Sequence, residues 1–304
     1  MGGIMSVNSI VFNRACKKAD RKRDAGLEIP EDVYYIKNLR YGGHRKYHTL
    51  DICWPVDYSS EEEKKFPVIV SVHGGGYVYG SKEVYRFYAA RLAKKGFIVV
   101  NFNYRLAPKY RFPAPLEDLQ LVMRWIMMHE TDYPFDLRNV FLVGDSAGAQ
   151  IASQYGVIYA NRDYRKIMGL RKPKLTIRGL GLCCGMYDLR KTFEKNMGRG
   201  IIRDYLTGNP AQFGEMLDVL AYVNADYPPA YIFTSGGDFL RCDAEPMAKL
   251  LERRGAKAEY KTYGTDETGH VFHVDMRNEF ADEANTDMTE FFKKIIQPCF
   301  FGKS

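Results

Sequence analysis

The sequence predicts an α/β fold in which a mostly parallel sheet of eight strands is flanked by helices. Three observations predict it. Apolar runs of strand length alternate with amphipathic stretches of helix length. Runs such as 68–72 and 140–143 are almost wholly apolar, as expected of strands covered on both faces. Gly96 and Gly255 each stop an amphipathic stretch, the usual end of a helix.

The elements follow in order. Residues 6–24 have helical composition and a basic face. Residues 34–41 and 47–54 read as strands joined by a Gly42-Gly43 hairpin turn, which puts antiparallel strands at one edge. Strand 68–72, helix 81–95, strand 97–104 and helix 115–129 come next. Strand 140–143, helix 147–160 and strand 180–184 continue the rhythm. Strand 230–234, helix 244–254, strand 258–263 and helix 279–296 complete it. Residues 187–227 break the pattern: they are polar, carry Gly198, Gly200, Gly208, Pro210 and Gly214, and contain two short helical patches. They read as an insertion over the sheet, a small cap.

Composition narrows the function classes. Hydrophobic residues make up 46% and charged residues 27% of the 304, an ordinary globular balance, read as one domain over residues 1–304. Neither a membrane-spanning run nor a secretory signal is read. Gly2 and Ser6 fit the short N-myristoylation pattern, taken here as coincidence. Cysteines 16, 53, 183, 184, 242 and 299 form no C-x-x-C pair and read as buried thiols of a cytoplasmic protein. The six histidines lack metal-ligand spacing, and neither a metal nor an organic cofactor is expected. Net charge is +7, with basic clusters at 17–23 and 162–174. Without a recognition motif these read as solvated helix faces, and no nucleic-acid partner is expected.

Two glycine-rich segments carry the chemistry. The apolar run FLV leads directly into Gly144-Asp145-Ser146-Ala147-Gly148, and a helix follows. This is G-x-S-x-G in its strand–turn–helix setting, a tight elbow that lifts the serine hydroxyl above the carboxyl end of a sheet. Upstream, VIVSV runs into His73-Gly74-Gly75-Gly76-Tyr77. Attack on an acyl group creates an oxyanion, and glycines let backbone N–H groups converge on it. Gly75, Gly76 and Ala147 are the expected donors; His73, Gly74, Tyr77 and Asp145 are further candidates for substrate contact. No lysine follows as a phosphate loop requires, and no G-x-G-x-x-G is present.

A serine nucleophile needs a base, and the base needs an orienting acid. Behind such an elbow the chain order is serine, acid, histidine. Only His270 and His273 follow Ser146. His270 lies in the polar loop DETGH and is the better base; His273 reads as packing or surface. Asp238 ends the strand AYIFTSGG, whereas Asp243 falls in the next helix, where first-turn dipole support is its ordinary role. Asp238 is therefore the expected acid.

These segments together resemble the hormone-sensitive-lipase-like family of carboxylesterases and lipases, of the α/β-hydrolase fold. His73-Gly74-Gly75-Gly76 and Gly144-Asp145-Ser146-Ala147-Gly148 carry the resemblance. Asn103 to Pro108, Phe112-Pro113-Ala114 and Glu117-Asp118 extend it, so that it covers about residues 66–275. It implies an acid in D-x-L, matched by Asp238-Phe239-Leu240, and a base in H-x-F, matched by His270-Val271-Phe272. It also implies a cap built from about residues 1–30 and 187–227. Lys109, Phe239 and Val271 depart from the usual glutamate, proline and glycine. The implied activity is hydrolysis of short-chain acyl esters through an acyl-enzyme, with acetylated or feruloylated carbohydrate among the candidate substrates. An amidase or formamidase could use the same triad. A small-molecule receptor on this fold would have lost its histidine, and His270 is present. The expected partner is a small-molecule ester; oligomeric state is left open, with a homodimer as one arrangement.

Overall fold

A computed structural model describes residues 5–56, 64–195, 200–207 and 209–296. Gly2 of the acylation pattern, Gly198, Gly208 and Cys299 lie outside the described residues.

Helix α1 (Val7–Asp24) leads into strands β1 (Val33–Arg40) and β2 (Thr49–Pro55). Then come β3 (Phe66–Val72), α2 (Arg86–Lys94), β4 (Ile98–Phe102), α3 (Ala114–Met128), β5 (Phe135–Asp145) and α4 (Ala147–Ala160). The short α5 (Arg162–Ile167) precedes β6 (Ile177–Cys183). After α6 (Leu189–Glu194), α7 (Ile201–Leu206) and two 3-10 turns come β7 (Ala230–Ser235), α8 (Arg241–Arg253), β8 (Ala258–Tyr263) and α9 (Ala281–Ile295).

The eight strands form one sheet in the order β1-β2-β4-β3-β5-β6-β7-β8. Strand β2 runs antiparallel to both its neighbours, and every other pairing is parallel. Alternation along the strands explains their unbroken apolar runs. Val68, Val70 and Val72 enter the core shared with α3, α4 and α8, while Ile69 enters the one shared with α2 and α9. The parallel order brings the carboxyl ends of β3, β5, β6 and β7 side by side, where an open α/β sheet keeps its site.

Three expectations need correction. The hairpin between β1 and β2 closes through residues 41–48, not through a two-residue turn. Gly42 packs against the His48 ring, whose Nδ1 accepts the His44 N–H at 3.1 Å. Helix α2 starts five residues later than its composition suggests, because tertiary contacts capture Lys82. Its N–H donates to Asn103 Oδ1 at 2.7 Å, and its ammonium is buried against Asp51 at 2.8 Å. The cysteines are not uniformly buried: Cys53, Cys183 and Cys184 are, Cys16 is half-buried, and Cys242 is exposed.

Asp118 on α3 ties the hairpin loop to the segment after β4. Its buried carboxylate accepts from Arg105 Nε at 2.8 Å, from Arg105 N–H at 2.7 Å and from His48 Nε2 at 3.0 Å. Burial pushes its pKa up despite these partners. Removing one partner of such a cluster strands the other's charge. Asp118→Ala is expected to cost roughly 3 kcal/mol in urea unfolding, with Asp118→Asn costing less. A loss within experimental error would show that the cluster does not hold these segments.

Candidate active site

Strand β5 ends at Asp145, and the chain turns sharply at Ser146, whose φ of 51° and ψ of −117° are strained for any residue but glycine. The Ser146 N–H donates to the Cys183 carbonyl on β6 at 2.9 Å, and α4 starts at the next residue. The elbow glycines are required by packing. A Cβ on Gly148 would collide with the Val72 carbonyl oxygen, and one on Gly144 with the Gly148 carbonyl. The turn thus presses against the end of β3, where the second glycine loop begins.

In that loop Gly75 holds a φ of 111°, open only to glycine, and its carbonyl accepts the Tyr79 N–H at 2.9 Å. Among the described residues, the N–H groups of Gly75, Gly76 and Ala147 donate to no protein acceptor. All three residues line the cavity that contains Ser146. The loop is fixed from below: Tyr85 Oη donates to Asp145 Oδ2 at 2.7 Å and accepts the Gly74 N–H at 3.0 Å. This bridge couples the two motifs. Burial raises the Asp145 pKa to about 6, although the Tyr85 hydroxyl lowers it.

Asp238 and His270 stand on adjacent loops clipped together. Gly237 N–H donates to the Thr268 carbonyl at 3.1 Å, and Ser235 Oγ to the Gly269 carbonyl at 2.9 Å. His270 Nδ1–H donates to Asp238 Oδ1 at 2.7 Å. The same oxygen accepts the Leu240 N–H at 3.0 Å, and Oδ2 accepts Thr234 Oγ at 2.7 Å. Burial alone would raise Asp238, but the imidazole and these donors bring its pKa below the ordinary carboxylate value. Burial alone would lower His270, but the bond to Asp238 and the nearby Cys184 sulfur outweigh it and push His270 up to about 9. With Nδ1–H given to the carboxylate, Nε2 is the free nitrogen.

The remaining candidates fall into place. Gly74, Tyr77 and Asp145 line the cavity, although Asp145 is committed to Tyr85, and Tyr77 stacks on Tyr205 at 3.8 Å. His73 does not line it. This histidine is fully buried, donates Nδ1–H to the Gly74 carbonyl at 2.8 Å and stacks on Tyr104 at 4.0 Å. Burial drops its pKa to about 4, so it supports the loop as a neutral ring. His273 is also buried, 3.0 Å from Cys183 Sγ, and Asp243 lines a separate depression.

Sequence reasoning missed Tyr85, Cys184 and Phe239. The Phe239 ring lies against the His270 ring in a tilted arrangement, with centroids 4.3 Å apart. Cys184 follows the end of β6, a strand-end position equivalent to that of Asp238, and topology was the signal that could have flagged it. Among the described residues, one group has donor atoms close enough to hold a metal ion: Cys184, Asp238 and His270, within 4.8 Å of one another. Two of the three are already bound to each other.

The cavity has a volume of about 560 Å³. Phe12, Cys16 and Asp20 of α1, Ile201 and Ile202 of α7, Met186, Leu240 and Phe239 wall it around Ser146. Helix α1 is tied down by polar bonds. Ser9 Oγ donates to Asp204 at 2.6 Å, Asn13 Nδ2 to the Val78 carbonyl at 3.0 Å, and Tyr79 Oη to Asp20 at 2.7 Å.

Comparison with known proteins follows this geometry. The chain is 31% identical over 220 residues to carboxylesterase NlhH of Mycobacterium tuberculosis, a match spanning 67% of this chain and 66% of that protein. It is 30% identical over 236 residues to esterase LipI of the same organism, spanning 72% and 70%. The structure of esterase B from Lactobacillus rhamnosis superposes with a TM-score of 0.85 at 22% identity, covering 95% of this chain and 97% of that one, which shows a shared fold. Residues 69–274 match the Abhydrolase_3 family, described by its alpha/beta hydrolase fold. Those residues contain the elbow, the glycine loop and the Asp238–His270 pair, and the chain belongs to this α/β-hydrolase family.

Proposed function

We propose that the protein is a serine carboxylesterase acting on compact acyl esters, with Ser146 as nucleophile, His270 as base and Asp238 as orienting acid. One observation carries this reading. Ser146, three uncommitted N–H groups and an imidazole bound through Nδ1 to a buried carboxylate meet at one cavity. The named activities of NlhH and LipI support it.

The chemistry follows from the atoms. Ser146 Oγ attacks the ester carbonyl carbon as His270 Nε2 takes its proton. Asp238 holds the imidazole and balances its charge. The N–H groups of Gly75, Gly76 and Ala147 receive the oxyanion, each such donor being worth about 3 kcal/mol in the transition state. The tetrahedral species collapses, His270 returns the proton to the leaving alcohol, and Ser146 keeps the acyl group. Water then repeats the sequence: His270 takes its proton as its oxygen attacks the acyl carbon, and the acyl–Ser146 bond breaks as His270 returns the proton to Ser146 Oγ, freeing the acid and restoring the enzyme.

The cavity's aliphatic and aromatic walls suit an apolar acyl group, and its volume of about 560 Å³ holds a whole small-molecule ester. In this reading α1 and the inserted segment around α6 and α7 act as a cap that excludes water.

Ser146→Ala is expected to abolish turnover of a p-nitrophenyl acetate-type ester and labelling by a fluorophosphonate, with the circular dichroism spectrum unchanged. Near-normal turnover in that variant would overturn the assignment.

The pH dependence has a definite sign. His270 works as a base only when neutral, so activity rises as pH climbs through its pKa. The acid limb of kcat/KM is expected well above the ordinary imidazole value, toward about 9. Cys184→Ala removes one interaction that holds the proton on His270, so it moves the limb to lower pH. A wild-type limb at or below the ordinary imidazole value, or one unmoved by Cys184→Ala, would contradict this.

A further inference from the structure

Helix α1 packs onto the protein along one face only. At 3.6 residues per turn, Ser9, Phe12, Asn13, Cys16, Asp20 and Arg23 share the inward side, and all are buried or half-buried. The outward side begins with Val7, Ile10 and Val11, exposed by 75%, 37% and 59%. It continues with Arg14, Lys17, Lys18, Arg21 and Lys22, all exposed. No carboxylate shares this side, because Asp20 and Asp24 both turn inward onto Arg23. Among the described residues, none of the five outward cations forms an ion pair.

A merely solvated basic face does not require three adjacent bare aliphatic side chains at its end. Nucleic acid would engage the cations and leave the aliphatics wet. A second copy meeting this face through a two-fold axis would set five cations against five. An anionic lipid surface satisfies both halves: aliphatic side chains enter the acyl boundary while Lys and Arg meet the headgroups. The position fits as well. The inward side of the same helix lines the cavity through Phe12, Cys16 and Ala19. Phe239 also lines it and is 70% exposed, so its ring stands at the mouth.

We propose that the outer face of α1 docks the protein on anionic lipid bilayers, holding the cavity mouth where esters partitioned into the membrane surface can enter it. The docking stands on Val7, Ile10, Val11 and the five cations, whatever chemistry Ser146 performs.

The test is sedimentation of the full-length protein with sucrose-loaded vesicles, phosphatidylcholine alone against phosphatidylcholine with about one third phosphatidylserine. Binding is expected to the anionic vesicles, with little to the neutral ones, and is expected to fall as salt rises. Lys17→Gln with Lys18→Gln should weaken partitioning by about 30-fold. Val7→Asp with Val11→Asp should reduce it to the level seen with neutral vesicles. Both double variants should retain the wild-type circular dichroism spectrum and rate on a soluble ester, while Ser146→Ala should bind vesicles normally. Equal binding to both vesicle types, or normal binding by both double variants, would overturn the proposal. So would a change in oligomeric state of the variants on gel filtration without a change in vesicle binding. Loss of hydrolysis in Ser146→Ala with docking intact separates the surface from the site.

Discussion

The close approach of the α4 start to the end of β3 is the constraint on which the rest of the site depends. Gly148 lies so near the Val72 and His73 carbonyls that no side chain fits between them. That contact brings two loops from separate strands to one cavity. One carries Ser146 and Ala147, the other Gly75 and Gly76. The Tyr85 hydroxyl then fixes their spacing by bonding to Asp145 and Gly74 at once. The strained turn at Ser146 persists because neighbours on three strands determine it.

The acid–base half uses the same device across a longer span. Its partners lie 32 residues apart, and Gly236 and Gly237 press against the Thr265 and Asp266 carbonyls of the His270 loop, where a Cβ would collide. The loops are held by exchanged hydrogen bonds, and the buried Asp238 carboxylate is paid for by three donors. Such a carboxylate holds its partner in one tautomer and one orientation, which a solvated aspartate would not. The cost is a proton gripped tightly by His270. Cys184 adds to the grip: burial raises a thiol, but contact with the imidazole and with Cys183 brings this one below its ordinary value. In the proposed mechanism, the bond that aligns His270 is also one that raises its pKa.

This division accounts for what the sequence made legible. The elbow and the glycine loop are contiguous, and their geometry is local, so their residues could be read directly. Asp238 and His270 could be read because strand ends at one sheet edge are fixed by topology. Tyr85 could not, since its role requires α2 to lie beneath the glycine loop, which no local pattern states. His73 reads as a loop residue near the chemistry, yet stacking on Tyr104 buries it. The Gly42-Gly43 hairpin failed for a similar reason: the His48 ring accepts the His44 N–H and donates to the Asp118 carboxylate, and these bonds hold a longer loop than the dipeptide suggests.

Helix α1 shows how a wall can differ from a core. Ser9 is its only buried residue, and beyond Phe12, which packs on the main core, the helix is held by hydrogen bonds involving Asp204, Val78, Tyr79 and Val84. The sheet helices bury whole apolar faces and come away only with global unfolding, whereas a segment held by a few polar bonds opens at far lower free energy. Breaking those bonds exposes groups that water can satisfy, so the penalty is small compared with exposing a core. The part of the cavity wall easiest to displace is therefore the helix that carries Phe12, Cys16 and Ala19 on its inner side.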